Sequence, residues 1–136
     1  MPFVRLLNIS KHYSAKHQRF ASVAFRPSND GSGISVIEKS CCEEQSGGIC
    51  VHIARHYAST AGTPAVFWQI PDERIPEGCK LSHSVSSTDL WCHYDLIGWD
   101  VKDAEDTIKR LPITEANICT EDGIRPLTVG DLPNLT

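Results

Sequence analysis

The sequence predicts an α+β fold: a compact mixed or antiparallel sheet with two main helices packed on one face. Three observations lead there. Apolar runs of strand length recur at 3–9, 19–26, 65–70 and 90–99. Two segments, about 49–60 and 101–111, gather their apolar residues on one helical face. The order strand, hairpin, helix, strands, helix, tail suits helices collected on one side of a largely antiparallel sheet.

Phe3 to Ile9 is expected as the first strand, and the polar stretch Lys11 to Gln18 as a loop or short helix. From Arg19 to Arg26, Ala21, Val23 and Phe25 alternate with Phe20, Ser22 and Ala24, the period of a strand buried on both sides. A dense turn cluster, Pro27 to Gly33, leads into the β-branched run Ile34 to Glu38, so residues 19–38 read as a hairpin with a long loop. Glu43 to Gly48 is expected as a loop before the helix at 49–60, which Gly62 and Pro64 terminate.

Ala65 to Ile70 is apolar enough for an interior strand, and Leu81 to Val85 suits a short edge strand. Leu90 to Trp99 is a long strand candidate closed by Gly98. Asp100 is placed to cap a helix at 101–111, whose stripe is Val101, Ala104, Ile108 and Leu111. Glu105 with Lys109 and Asp106 with Arg110 add i,i+4 pairs before Pro112 stops it. The tail, with an Asp122-Gly123 turn, is expected to add one short strand.

The 136 residues suit a single globular domain, 1–136, with one core. A formal net charge of −4 makes nucleic acid an unfavoured partner. Lys11, Lys16, Arg19 and Arg26 beside His12 and His17 read as a solvated basic face. No stretch approaches the roughly 20 apolar residues of a transmembrane helix. Residues 1–9 carry no cleavage pattern, so a cytoplasmic protein without membrane contact is the expectation.

Six cysteines, at 41, 42, 50, 79, 92 and 119, contain no Cys-x-x-Cys. Cytoplasmic thiols stay reduced, so these are expected as small buried hydrophobes and not as a disulfide framework. Adjacent Cys41 and Cys42 rarely meet the geometry of a mutual disulfide.

His52 and His56 stand four apart on the first helix, the spacing that offers two nitrogens to one divalent metal such as zinc. On a wheel of about 100° per residue, Ile49, Cys50, Ile53, Ala54 and Tyr57 form the apolar arc, with the histidines on one flank and Cys50 on the other. Cys50 is therefore a poor co-ligand. Ile53 occupies the place of the glutamate in His-Glu-x-x-His, which removes a zinc-peptidase mechanism.

On the 90–99 strand, alternation sets Leu90, Cys92, Tyr94 and Leu96 on one face and Trp91, His93, Asp95 and Ile97 on the other. His93 and Asp95 thus form a candidate catalytic pair in which the carboxylate orients the imidazole. They complete a site with the helix histidines only if that helix covers their face. The resemblance of His-x-Asp to the facial triad of non-haem iron oxygenases fails, because no histidine follows His93. No serine lies in a Gly-x-Ser-x-Gly elbow, and the Gly31-Ser32-Gly33 loop lacks the lysine of a phosphate cradle. His12, His17 and Arg19 beside Ser22 form a lesser candidate, an anion or phosphate-ester site of the kind compact ribonucleases use.

No complete catalytic constellation can be read. The leading expectation is a small soluble binding or accessory protein, taking a small molecule or a protein partner and associating with itself through an exposed aromatic patch. A metal-dependent or acid–base hydrolase using His52, His56, His93 and Asp95 is the alternative.

Overall fold

The computed structural model describes residues 3–14, 16, 19–57, 65–83 and 92–132. Its centre is an antiparallel seven-stranded sheet in the order β6-β7-β4-β1-β5-β8-β9. The strands are β1 (Phe3–Leu7), β4 (Ile34–Glu38), β5 (Val66–Ile70), β6 (Lys80–His83), β7 (His93–Ile97), β8 (Asn117–Thr120) and β9 (Gly123–Pro126). A separate two-residue ribbon pairs β2 (Tyr13–Ser14) with β3 (Arg19–Phe20). The helices are the single turn α1 (Ile9–His12), α2 (Lys39–Ser46), α3 (Ile49–His56) and α4 (Val101–Arg110). The α+β class and the antiparallel sheet are as the sequence predicts.

Strand alternation divides the core between two faces. Phe3, Leu7, Ile34, Val36, Val66, Trp68, Ile70, Leu96 and Ile118 share one buried cluster. Val4, Ile37 and Phe67 belong to the other, under α2 and α3. The two helices expected on a common face divide between these clusters: Ile49 and Ile53 of α3 join the second, Ala104 of α4 the first. A sheet apolar on both faces needs a cover on each, and α2 shares that work with α3.

Several boundaries differ from expectation. The segment expected as strand 19–26 pairs only as far as Phe20, then forms a 3₁₀ turn at Ser22–Phe25. A straight strand would present Ala24 and Phe25 to opposite sides; the turn buries both and leaves Val23 exposed. The 19–38 hairpin is therefore absent, since β3 pairs with β2 while β4 pairs with β1 and β7. The expected 43–48 loop is largely helix α2, which Gly47 closes at φ 82°, a left-handed turn that glycine makes without a Cβ clash. The tail supplies a hairpin, β8–β9, and not one strand.

Asp100 caps α4 as expected, and Asp103 returns the bond to the Asp100 N–H in a capping box. β6 lies at one edge with all four side chains exposed, as an edge strand of this length allows. Among the described residues, no helix is long and apolar enough to cross a membrane.

The cysteines overturn the reduced-thiol expectation. Cys41 of α2 is bonded to Cys92 at the foot of β7, and Cys50 of α3 to Cys119 of β8. Each helix over the second face is thus tied to the sheet by its own disulfide. Adjacency barred Cys41 and Cys42 from each other but not from different partners, because neighbours on a helix point about 100° apart.

Candidate functional site

β1 and β4 pair only at Phe3–Glu38 and Val4–Ile37, whereas β1 and β5 stay in register through five residue pairs. Beyond Val4 the ladder toward β4 opens, and Arg5 fills the gap. Its Nε donates to the Ala24 carbonyl at 3.1 Å and its Nη1 to the Ser35 carbonyl at 2.9 Å. These neutral acceptors hold the guanidinium in place without neutralising it. Burial lowers its pKa to about 10, so it remains a cation at neutral pH. Among the described residues, no carboxylate pairs with it.

A cavity of about 330 Å³ adjoins this divergence. Arg5, Asn8, His12, Ser35, Tyr57 and His93 supply its polar lining, and Leu6 and Ile37 its apolar wall. Among the described residues, no aspartate or glutamate lines it. His12 is fixed by its helical turn: the Asn8 N–H donates to its Nδ1 at 2.9 Å. Nδ1 is therefore the acceptor, and the proton of the neutral ring resides on Nε2. Burial, then the positive charges of Arg5 and Lys11, lower its pKa to about 4. At neutral pH this imidazole is an uncharged donor. Across the cavity, Nδ1 of His93 is buried with no hydrogen-bond partner among the described residues. A buried polar atom in that condition favours a ligand able to bond it.

A second group lies under α2 and α3. Cys42, His52 and Cys92 are buried, and one ligand atom of each lies within 4.8 Å of the others. His52 is 0% exposed, so the wheel's placement of it at the rim is corrected to the interior. Its Nδ1 is 2.9 Å from Ser46 Oγ at the end of α2. The His56 ring lies with its centroid 4.6 Å from that of His52, yet His56 is not in the metal-capable group. Neither are His93 and Asp95.

The chain matches no protein-family model, and comparison with curated proteins and with solved structures finds no significant match. What the two sites do rests on their own chemistry.

The sequence-predicted residues thus divide. His93 enters the cavity with Arg5 and His12, while His52 joins two cysteines. Asp95 stands two residues further along β7, in register with Ser35 and Ser82. Of the lesser phosphate-ester candidate, His12 reaches the cavity, Arg19 is exposed, and His17 lies outside the described residues. The strand begins at His93 and Cys92 occupies a turn. That breaks the expected alternation: Cys92 joins the second cluster while Tyr94 and Leu96 belong to the first. Arg5 was the missed signal, a lone charge inside the apolar run Phe3–Leu7.

A cavity beside α4, about 200 Å³, is lined by Glu73, Arg74, Asp103 and Asp106 among others. Among the described residues its lining combines three carboxylates with one guanidinium and no imidazole, so it lacks the convergent donors of the first. The aromatic patch expected for self-association is not among the described residues. Among the described residues the exposed large apolar side chains are aliphatic: Val23, Val51, Leu81, Ile97, Val101, Ile124 and Val129.

Proposed function

We propose that this protein binds a small molecule that carries a carboxylate or phosphate group on an apolar body. The ligand occupies the cavity where β1 and β4 diverge. One observation carries the reading: Arg5 is a half-buried cation held by two neutral carbonyls, in a cavity that no acidic side chain among the described residues lines. Charges removed from water are expensive unless matched, and an entering anion is the match. The neutral His12 Nε2–H adds a second donor, His93 Nδ1 a further polar contact, and Leu6 and Ile37 a wall for the apolar part.

The test is calorimetric titration with inorganic phosphate and with benzoate. Saturable binding that weakens with ionic strength is expected, reduced by His93→Gln and abolished by Arg5→Gln. Arg5→Lys, which keeps the charge and loses the planar fork, retains part of it. Absence of saturable binding by either anion, or unchanged binding by folded Arg5→Gln, overturns the reading.

A hydrolase built on His52, His56, His93 and Asp95 has less support. His52 keeps company with sulfur ligands in a closed interior, whereas a catalytic metal needs a coordination position open to substrate. A protein partner or a second copy has no aromatic patch among the described residues to recommend it.

A further inference from the structure

We propose a second site on the opposite face of the same sheet: reduction of the Cys41–Cys92 disulfide opens a zinc-binding centre formed by Cys42, Cys92 and His52. The reductant is a dithiol or a phosphine. It supplies two electrons; the two protons that complete the thiols of Cys41 and Cys92 come from the dithiol, which leaves as its disulfide, or from a water whose oxygen leaves in the phosphine oxide. Zinc then displaces one proton from each thiol that ligates it.

The geometry supports each part. Tetrahedral zinc with bonds near 2.3 Å to sulfur and 2.0–2.1 Å to nitrogen sets its ligand atoms roughly 3.5–3.8 Å apart. Cys42, His52 and Cys92 already lie within 4.8 Å of one another, so closure asks for at most about 1 Å, within reach of rotamer adjustment. All three are buried, which suits a closed structural site. Ser46 Oγ, 2.9 Å from His52 Nδ1, fixes the orientation of the imidazole beside the two sulfurs. Sulfur and imidazole form the donor set that zinc prefers among the common divalent ions.

Disulfide and metal exclude each other at Cys92. A sulfur already bonded to Cys41 is no thiolate, and Cys42 with His52 alone is a weak pair of ligands. The two states nevertheless join the same parts. The disulfide links α2 to the foot of β7; the metal links α2, α3 and that same point. Zinc therefore replaces the covalent staple when the disulfide is reduced.

Co²⁺ serves as the optical probe, with Zn²⁺ as competitor. Protein reduced by a phosphine is expected to bind one Co²⁺ per chain with intense visible bands of tetrahedral cobalt and thiolate-to-cobalt charge transfer, both erased by Zn²⁺. Oxidised protein is expected to show neither. Cys42→Ser leaves both disulfides available, so its oxidised form reports on folding; reduced, it should bind at least tenfold more weakly. His52→Asn should shift the visible bands. If the reduced chain unfolds, Co²⁺ should refold it. Failure of the reduced chain to bind Co²⁺, equal binding by the oxidised protein, or unchanged bands in Cys42→Ser overturns the proposal.

Discussion

Trp99 Nε1 donates a hydrogen bond of 2.8 Å to the Phe25 carbonyl, joining residues 74 apart in the chain. The contact ties the 3₁₀ turn after β3 to the segment that leads into α4. It also explains why that turn replaces a strand: the Phe25 carbonyl has an indole partner in the core and needs no ladder. Trp99→Phe keeps most of the apolar bulk and orphans the carbonyl. A loss of about 1–3 kcal/mol in urea denaturation is expected, the cost of a buried acceptor left without its donor. A change within the fitting error would show that the bond contributes nothing.

His12 gives the fold a pH dependence whose sign follows from its burial. The folded pKa of about 4 lies below the unfolded value of about 6.5, so in that window the unfolded chain binds more protons. Its contribution to stability is complete above about pH 6.5 and is lost as pH falls through that value toward 4. Discounted for partial solvent exposure, the effect is on the order of 1–2 kcal/mol. Denaturation of His12→Gln against the native protein at pH 7.5, 5.5 and 4.5 isolates it. The difference between the two proteins should change in favour of the variant on acidification; a constant difference removes His12 as the cause.

Acid weakens the fold at Asp131 in the same direction, by removing an anion instead of creating a buried cation. Its hydrogen bonds from Arg125, then those from the Thr128 backbone and hydroxyl, hold its carboxyl well below the usual carboxylate range. The stabilisation is present above the unfolded pKa and is lost as pH falls through the folded one. Asp131→Asn should therefore loosen the turn at Val129–Asp131 at neutral pH and remove the acid-dependent loss of its amide protection, measured relative to intrinsic exchange. Exchange rates equal to those of the native protein would count against a capping role.

Much of the fold could be read from residue pattern because its main strands and α4 obey simple periods. Val66–Ile70 and Ile34–Glu38 carry the apolar residues their burial needs, and Asp100 announces α4. Other elements depend on distant partners. Nothing local in Lys39–Ser46 marks a helix, since only Cys42 among its residues is buried. The 19–26 segment alternates like a strand yet finds no neighbour beyond β2. The wheel rightly removed Cys50 from the histidine site, but its true partner, Cys119, lies 69 residues away. The approach of Cys42 and Cys92 to His52 has no local signature either: it depends on α2 folding over the sheet and on β7 starting at His93. His93 was visible as a candidate, while its companions Arg5 and His12 came from the N-terminal segment that looked like core and basic surface.

Gly33 tests how closely the loop before β4 must approach β7. Its φ is 74°, and a Cβ there would overlap the Leu96 backbone carbonyl. Gly33→Ala must therefore strain the backbone and also displace β7 from the start of its β4 partner, where Ile34 pairs with Leu96. A destabilisation of about 2–4 kcal/mol is expected, more than the left-handed conformation costs an alanine by itself. Gly31 supplies the control, because it has φ 83° and nothing within 4 Å of its Cβ position. Gly31→Ala should cost only about 1 kcal/mol. Equal losses for the two variants would show that backbone conformation, and not contact with β7, sets the requirement.

The Cys50–Cys119 disulfide closes a span of 69 residues, and loop closure of that length is worth about 4 kcal/mol on the chain-entropy account. Replacing both cysteines by alanine leaves Cys41, Cys42, His52 and Cys92 untouched, so it separates this staple from the proposed zinc centre. Under oxidising conditions the double variant should unfold at lower urea by roughly that amount, with the transition slope reporting any change in the unfolded chain. After reduction, the native chain and the variant should converge in stability, because neither then retains the cross-link. Added zinc should stabilise both reduced proteins to the same degree. A zinc effect that disappears in the double variant would place the metal at Cys50 or Cys119, on the other flank of α3, and not beside His52.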